Sequence, residues 1–97
     1  MQLQVITGHM GTGKTTKLQA IQSELANQGI DAPIIVGASC TTPYFLNQLT
    51  ERALAGAKHF LADDCTRAQI KAVHDLRARG INSGLPEYLV IHLVQQA

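Results

Sequence analysis

What this chain has little of narrows its reading first. Lys and Arg number 8 against 7 Asp and Glu, a formal net charge of +1, so no long-range field steers it onto nucleic acid or an anionic membrane. No apolar run approaches the roughly eighteen residues that a membrane span needs. The start Met1-Gln2-Leu3-Gln4 lacks the basic and apolar regions of a signal peptide, which gives a cytoplasmic expectation. Cys40 and Cys65 are too few and too far apart for a disulfide framework or a C-x-x-C site, and are expected as reduced thiols. A metal or redox pair that includes His9 has no recognisable ligand spacing behind it. Repeats and low-complexity segments are absent. The 97 residues leave room for one domain, spanning 1–97, and the composition, 45% hydrophobic and 15% charged, is that of an ordinary globular chain.

What is present begins with Gly8-His9-Met10-Gly11-Thr12-Gly13-Lys14-Thr15, which fills every required position of the phosphate-binding pattern G-x-x-x-x-G-K-[ST]. A glycine-rich turn between a strand and a helix points several backbone N–H groups inward, where they can surround phosphate oxygens. In this reading the loop from Gly8 to Gly13 and the start of the helix to Thr16 bind the nucleotide, and Lys14 neutralises β/γ charge. The Thr15 hydroxyl holds Mg²⁺, and the positive helix terminus adds to the attraction. A dinucleotide fingerprint fails, because Gly8, Gly11 and Gly13 space as G-x-x-G-x-G and not G-x-G-x-x-G.

The context fits. Leu3–Thr7 reads as a strand and Lys14–Gln28 as a helix with Leu18, Ile21 and Leu25 on one side, ending at Gly29. A second strand runs over Ala32–Gly37. A second helix runs over Pro43–Ala55, with Thr42 as its N-cap and Phe45, Leu49 and Ala53 facing inward. Ala57–Asp63 reads as the third strand. Thr66-Arg67-Ala68-Gln69 is a capping box for a third helix that buries Ile70, Val73 and Leu76 and reaches Gly80. A loop over Ile81–Glu87 leads to a fourth strand, Tyr88–Val94.

This alternation predicts an α/β fold of three layers, helices on both faces of a four-stranded parallel sheet. Its order follows from strand composition. The fourth strand, apolar on both faces except at His92, belongs inside. The first strand, which alternates Gln2, Leu3, Gln4, Val5, and the second, which carries Pro33, belong at edges. The order 1-4-3-2 meets all three conditions.

At the end of the third strand, Phe60-Leu61-Ala62-Asp63-Asp64 has the form of an apolar strand closed by an acid, as the Mg²⁺-binding partner of a phosphate loop requires. Asp63 is assigned to Mg²⁺, and Asp64 to orienting or deprotonating an attacking water, with a plain role near the next helix terminus as the alternative. Arg67 is the arginine placed to act as an internal finger. Arg52, Arg77 and Arg79 lie late in their helices and read as solvated charges. His92 reads as a buried, hydrogen-bonded histidine, and Thr41, Thr42 and Tyr44 follow the second strand on the ligand side. The guanine-reading N/T-K-x-D pattern is absent, which leaves ATP by elimination.

These residues together resemble the P-loop NTPase superfamily at fold level over most of the chain. The favoured strand order is similar to that of its RecA-like division, whose members usually have Asp then Glu where this chain has Asp63 and Asp64. The resemblance implies slow hydrolysis, since Asp reaches less far than Glu. It also implies a γ-phosphate contact from Gln95 or Gln96 at the tip of the fourth strand. Locally, His9 to Leu18 resembles the phosphate loop of type II thymidine kinases, which continue into a zinc-bearing lasso that has no counterpart here. The expected function is therefore a Mg²⁺- and ATP-binding protein with slow NTPase activity. The alternatives are a nucleotide-dependent binding module without turnover and a reduced thymidine-kinase-like phosphotransferase. Self-association or a partner protein is expected to complete the site.

Overall fold

Each helix starts where the chain supplies a start signal. The computed structural model describes residues 1–8, 13–80 and 84–96. Helix α1 (Lys14–Asn27) follows Gly13, whose left-handed backbone, φ 79°, is open to glycine without strain. Helix α2 (Thr42–Leu54) is capped by Thr41, whose hydroxyl accepts the Tyr44 N–H at 3.3 Å. The expected cap, Thr42, instead takes the first helical position, because only the hydroxyl three residues before that amide reaches it. Helix α3 (Arg67–Ala78) opens on the expected capping box. Thr66 accepts the Gln69 N–H at 3.2 Å, and the Gln69 side chain accepts the Thr66 N–H at 2.9 Å.

Four parallel strands, β1 (Gln2–Ile6), β2 (Ile34–Val36), β3 (His59–Cys65) and β4 (Val90–Gln95), form one sheet in the order β1-β4-β3-β2. The expected order holds, with β4 interior. Pro33 lies just before β2 and not inside it, because β2 is only three residues long and passes directly into a 3-10 turn at Gly37–Ser39. β1 is an edge, with Gln2 and Gln4 exposed. β4 begins two residues later than expected, leaving Tyr88 exposed and Leu89 buried ahead of it. β3 runs two residues past Asp63, through an irregularity between Ala62 and Cys65.

Side chains alternate across each strand and so divide into two cores. Leu61 and Val94 pack with Leu18, Leu25 and Ala32 on the face covered by α1. Phe60, Ala62, Ile91 and Leu93 pack with Phe45, Leu49 and Val73 on the face covered by α2 and α3. Ile70 and Leu76 of α3 reach only half-burial. The layers are α/β/α, with one helix on one side and two on the other. Arg77 and Arg79 are exposed as expected, but Arg52 is not a free charge. Its guanidinium donates to the Pro33 carbonyl at 3.1 Å and lies 5.8 Å from the Phe60 ring centroid, where a cation is attracted to the ring face. Among the described residues no helix is long and apolar enough to cross a membrane.

Candidate nucleotide-binding site

The order β1-β4-β3 brings three strand ends together at the carboxyl edge of the sheet, where ligands of open parallel sheets bind. Gly8 follows β1, and Lys14 and Thr15 open α1. His9, Met10, Gly11 and Thr12 lie outside the described residues. Lys14 is 8% exposed, and its ammonium donates to the Gly8 carbonyl at 2.8 Å and to the Gln95 carbonyl, at the tip of β4, at 2.9 Å. Two of the three ammonium donors thus bridge the ends of β1 and β4, and the third has no partner among the described residues. Among the described residues no side chain caps the N-terminus of α1, so its first N–H groups keep their capacity for an anion.

Thr15 meets Asp63 across this edge, its hydroxyl donating to Asp63 Oδ1 at 3.3 Å. Asp63 Oδ1 also accepts the backbone N–H of Asp64 at 2.8 Å. Two donors thus hold one carboxylate oxygen at the end of β3, over the start of α1. Asp64 has φ 52°, the one left-handed residue other than glycine among those described, and this kink lies within the β3 irregularity. Its half-buried side chain follows Asp63 on the same edge. Thr16 is exposed in the first turn of α1, and Arg67 is exposed at the first position of α3. Among the described residues Arg67 makes no hydrogen bond or ion pair with either aspartate. Gln95 enters through its carbonyl, and Gln96 donates its N–H to the Cys65 carbonyl at 2.7 Å.

The two cysteines do not form a reactive centre. Cys65 is fully buried, and burial is the largest cause that pushes its thiol up to about 12, opposed next by a backbone hydrogen bond from Val94 and aided less by the nearby Asp63 and Asp64 charges. A thiol held protonated is inert. Cys40 is half-buried, and its thiol donates to the Val36 carbonyl at 3.4 Å. No group of three or more His, Cys, Asp or Glu suited to a metal occurs among the described residues.

Two residues gain roles beyond those their sequence signals suggest. Gln69 is 1% exposed, and besides closing the capping box its amide donates to the Gly37 carbonyl at 2.8 Å and the Cys40 carbonyl at 3.1 Å, tying the tip of β2 to the start of α3. Its sequence signal, the capping box, shows only the local half of this work. His59 is the partner of His92: Nδ1 of His59 lies 3.2 Å from Nε2 of His92, and the rings stack with centroids 5.5 Å apart. Burial and the His59 neighbour push the His92 pKa down, so the expected buried, hydrogen-bonded histidine is neutral. Both histidines project to one face from adjacent strands, a juxtaposition that only the strand order makes visible.

Set beside protein-family models, curated proteins and solved structures, the chain finds no match in any of the three comparisons.

Proposed function

We propose that this chain is a Mg²⁺- and ATP-binding protein of the P-loop type with slow intrinsic NTPase activity. The contact between Thr15 and Asp63, beside the buried Lys14, carries the reading. It joins a hydroxyl and a carboxylate, hard oxygen donors of the kind Mg²⁺ takes, at the start of the helix that a phosphate loop feeds. Two adjacent ligands of an octahedral Mg²⁺ at roughly 2.0–2.1 Å stand about 2.9 Å apart, so the 3.3 Å separation here fits such a pair with little movement. Bound Mg²⁺ supplies charge neutralisation at the terminal phosphates. Lys14 adds its remaining donor to them, and the N–H groups of the Gly8–Gly13 loop and of Lys14, Thr15 and Thr16 surround the phosphate oxygens. Asp64, next to the metal-binding carboxylate, orients the attacking water.

A second reading, a nucleotide-dependent binding module without appreciable turnover, draws support from the exposure of Thr15 and Arg67. A terminal phosphate there stays wet, and phosphoryl transfer depends on charge stabilisation in a shielded site. A second copy or a partner protein that covers this edge would convert the module into an efficient enzyme.

Calorimetry with Mg²⁺ and a non-hydrolysable ATP analogue tests the site. Lys14→Ala removes one charge-assisted contact worth about 1.5–3 kcal/mol, so affinity falls about ten- to a hundredfold with the fold intact. Unchanged affinity in that variant overturns the assignment. Hydrolysis measured across protein concentrations then separates the two readings, since a site completed by association gains specific activity with concentration and a pure module shows none.

A further inference from the structure

At the opposite pole of the sheet, before the amino ends of β2 and β3, the α1–β2 and α2–β3 turns border a groove of about 580 Å³. This lies within the roughly 300–1,000 Å³ typical of small-molecule sites. Ile30 and Pro33 give it apolar surface, and Arg52, Lys58 and His59 line it together with a single acid, Asp31. The phosphate site shares none of these residues.

The three nitrogen-bearing side chains are prepared to different degrees. Arg52 is anchored by its contacts with the Pro33 carbonyl and the Phe60 ring, with one of its five donors spent. Lys58 is exposed and has no ion pair among the described residues. His59 is oriented from behind. Nδ1 of His92 is buried without a partner among the described residues. An orphaned N–H is the rarer and costlier form of such an atom, which favours the ring proton of His92 on Nε2, donated to Nδ1 of His59. His59 then carries its own proton on Nε2, the nitrogen that His92 does not use.

We propose that this groove binds a small organic carboxylate, its apolar body against Ile30 and Pro33 and its anionic end on Arg52, Lys58 and the Nε2–H of His59. The planar guanidinium matches a carboxylate in two-point fashion. Ile30 and Pro33 select among anions, because inorganic phosphate has no apolar body to bury against them.

Benzoate serves as the probe, titrated into the full chain and followed by the backbone amide signals and the His59 ring signals in NMR. Saturable shifts centred on Lys58 and His59 are expected, with half-saturation at about 1–10 mM. The exposed Lys58 can be replaced without disturbing the core, and Lys58→Ala should raise the half-saturation concentration about fivefold or more. Inorganic phosphate under the same conditions should leave the Lys58 and His59 signals without a saturable shift. The proposal is overturned by shifts that stay linear with benzoate, by an unchanged titration in Lys58→Ala, or by shifts centred on Lys14 and Thr15. It is likewise overturned if phosphate saturates the groove at lower concentration than benzoate.

Discussion

The two faces of the sheet divide the molecule's labour. The face under α2 and α3 holds the larger core, where Phe45 and Phe60 meet edge to face with centroids 5.7 Å apart and Phe60, Ile91 and Leu93 are fully buried. The face under α1 is covered by one helix. It keeps Gln2 and Gln4 exposed, buries the polar His92, and carries Thr15 and Asp63 at its rim. Polar groups that bind ligands must be reachable and incompletely satisfied, and the packed interior of the first face offers none, its unspent donors, such as those of Arg52, standing at the rim. The larger share of the core therefore lies on one side of the sheet and the Thr15–Asp63 contact on the other.

The largest effect that would test this division is Phe60→Ala, with an expected loss of about 3–5 kcal/mol, against roughly 1–2 kcal/mol for Ile34→Ala at a half-buried position under α1. Denaturant midpoints of the two variants decide it; equal losses would mean that the faces share the load. A smaller effect is expected at the seam between core and site. An added Cβ at Gly37 would stand 2.6 Å from the Gln69 side-chain oxygen and 2.9 Å from the Cys65 backbone Cα. The glutamine can shift only by giving up the Thr66 N–H held by that oxygen and its amide bonds to Gly37 and Cys40, and the β3 backbone cannot give way cheaply. Gly37→Ala should cost about 1–3 kcal/mol by chemical denaturation.

Much of the division was legible in the sequence because it rests on periodicity. Phe45, Leu49 and Ala53 recur at helical spacing and are buried, and the apolar run of β4 required an interior strand. Pro33 pointed to the correct edge although it lies outside β2, because a chain that cannot donate there marks the neighbourhood of the edge as well as the strand. The phosphate-loop reading supplied Lys14, Thr15 and Asp63 as separate expectations, and the strand order brings them to one edge. What stayed hidden depends on contacts between distant segments. The second role of Gln69, the seat of Arg52 on Pro33, and the pairing of His59 with His92 join residues 19 to 33 positions apart. No local rule links such positions. The left-handed Asp64 was equally hidden, since φ above zero is unusual for a residue with a side chain.

The pH dependence of stability sharpens the comparison, because each face carries one perturbed group and the two act at opposite ends of the scale. Cys65, on the α2 and α3 side, is raised from 9.0 to about 12. Above pH 9 the unfolded chain loses this proton while the folded chain keeps it, so stability is full below pH 9 and falls as pH rises toward 12, by on the order of 1 kcal/mol per unit. Cys65→Ala should flatten that alkaline slope relative to the wild type. His92, on the α1 side, is shifted the other way, below 6.5. Here the unfolded chain takes up the proton first. Stability is full above pH 6.5 and declines as pH falls through the lowered folded value, where the loss levels off. The decline should be the smaller of the two, since Cys65 is fully buried and His92 keeps 6% of its surface exposed. Melting curves of the wild type and His92→Gln between pH 7 and 5 measure it, the variant showing the shallower acid slope. An identical slope in both would remove His92 from the account and leave the α1 face without an acid-sensitive group of its own.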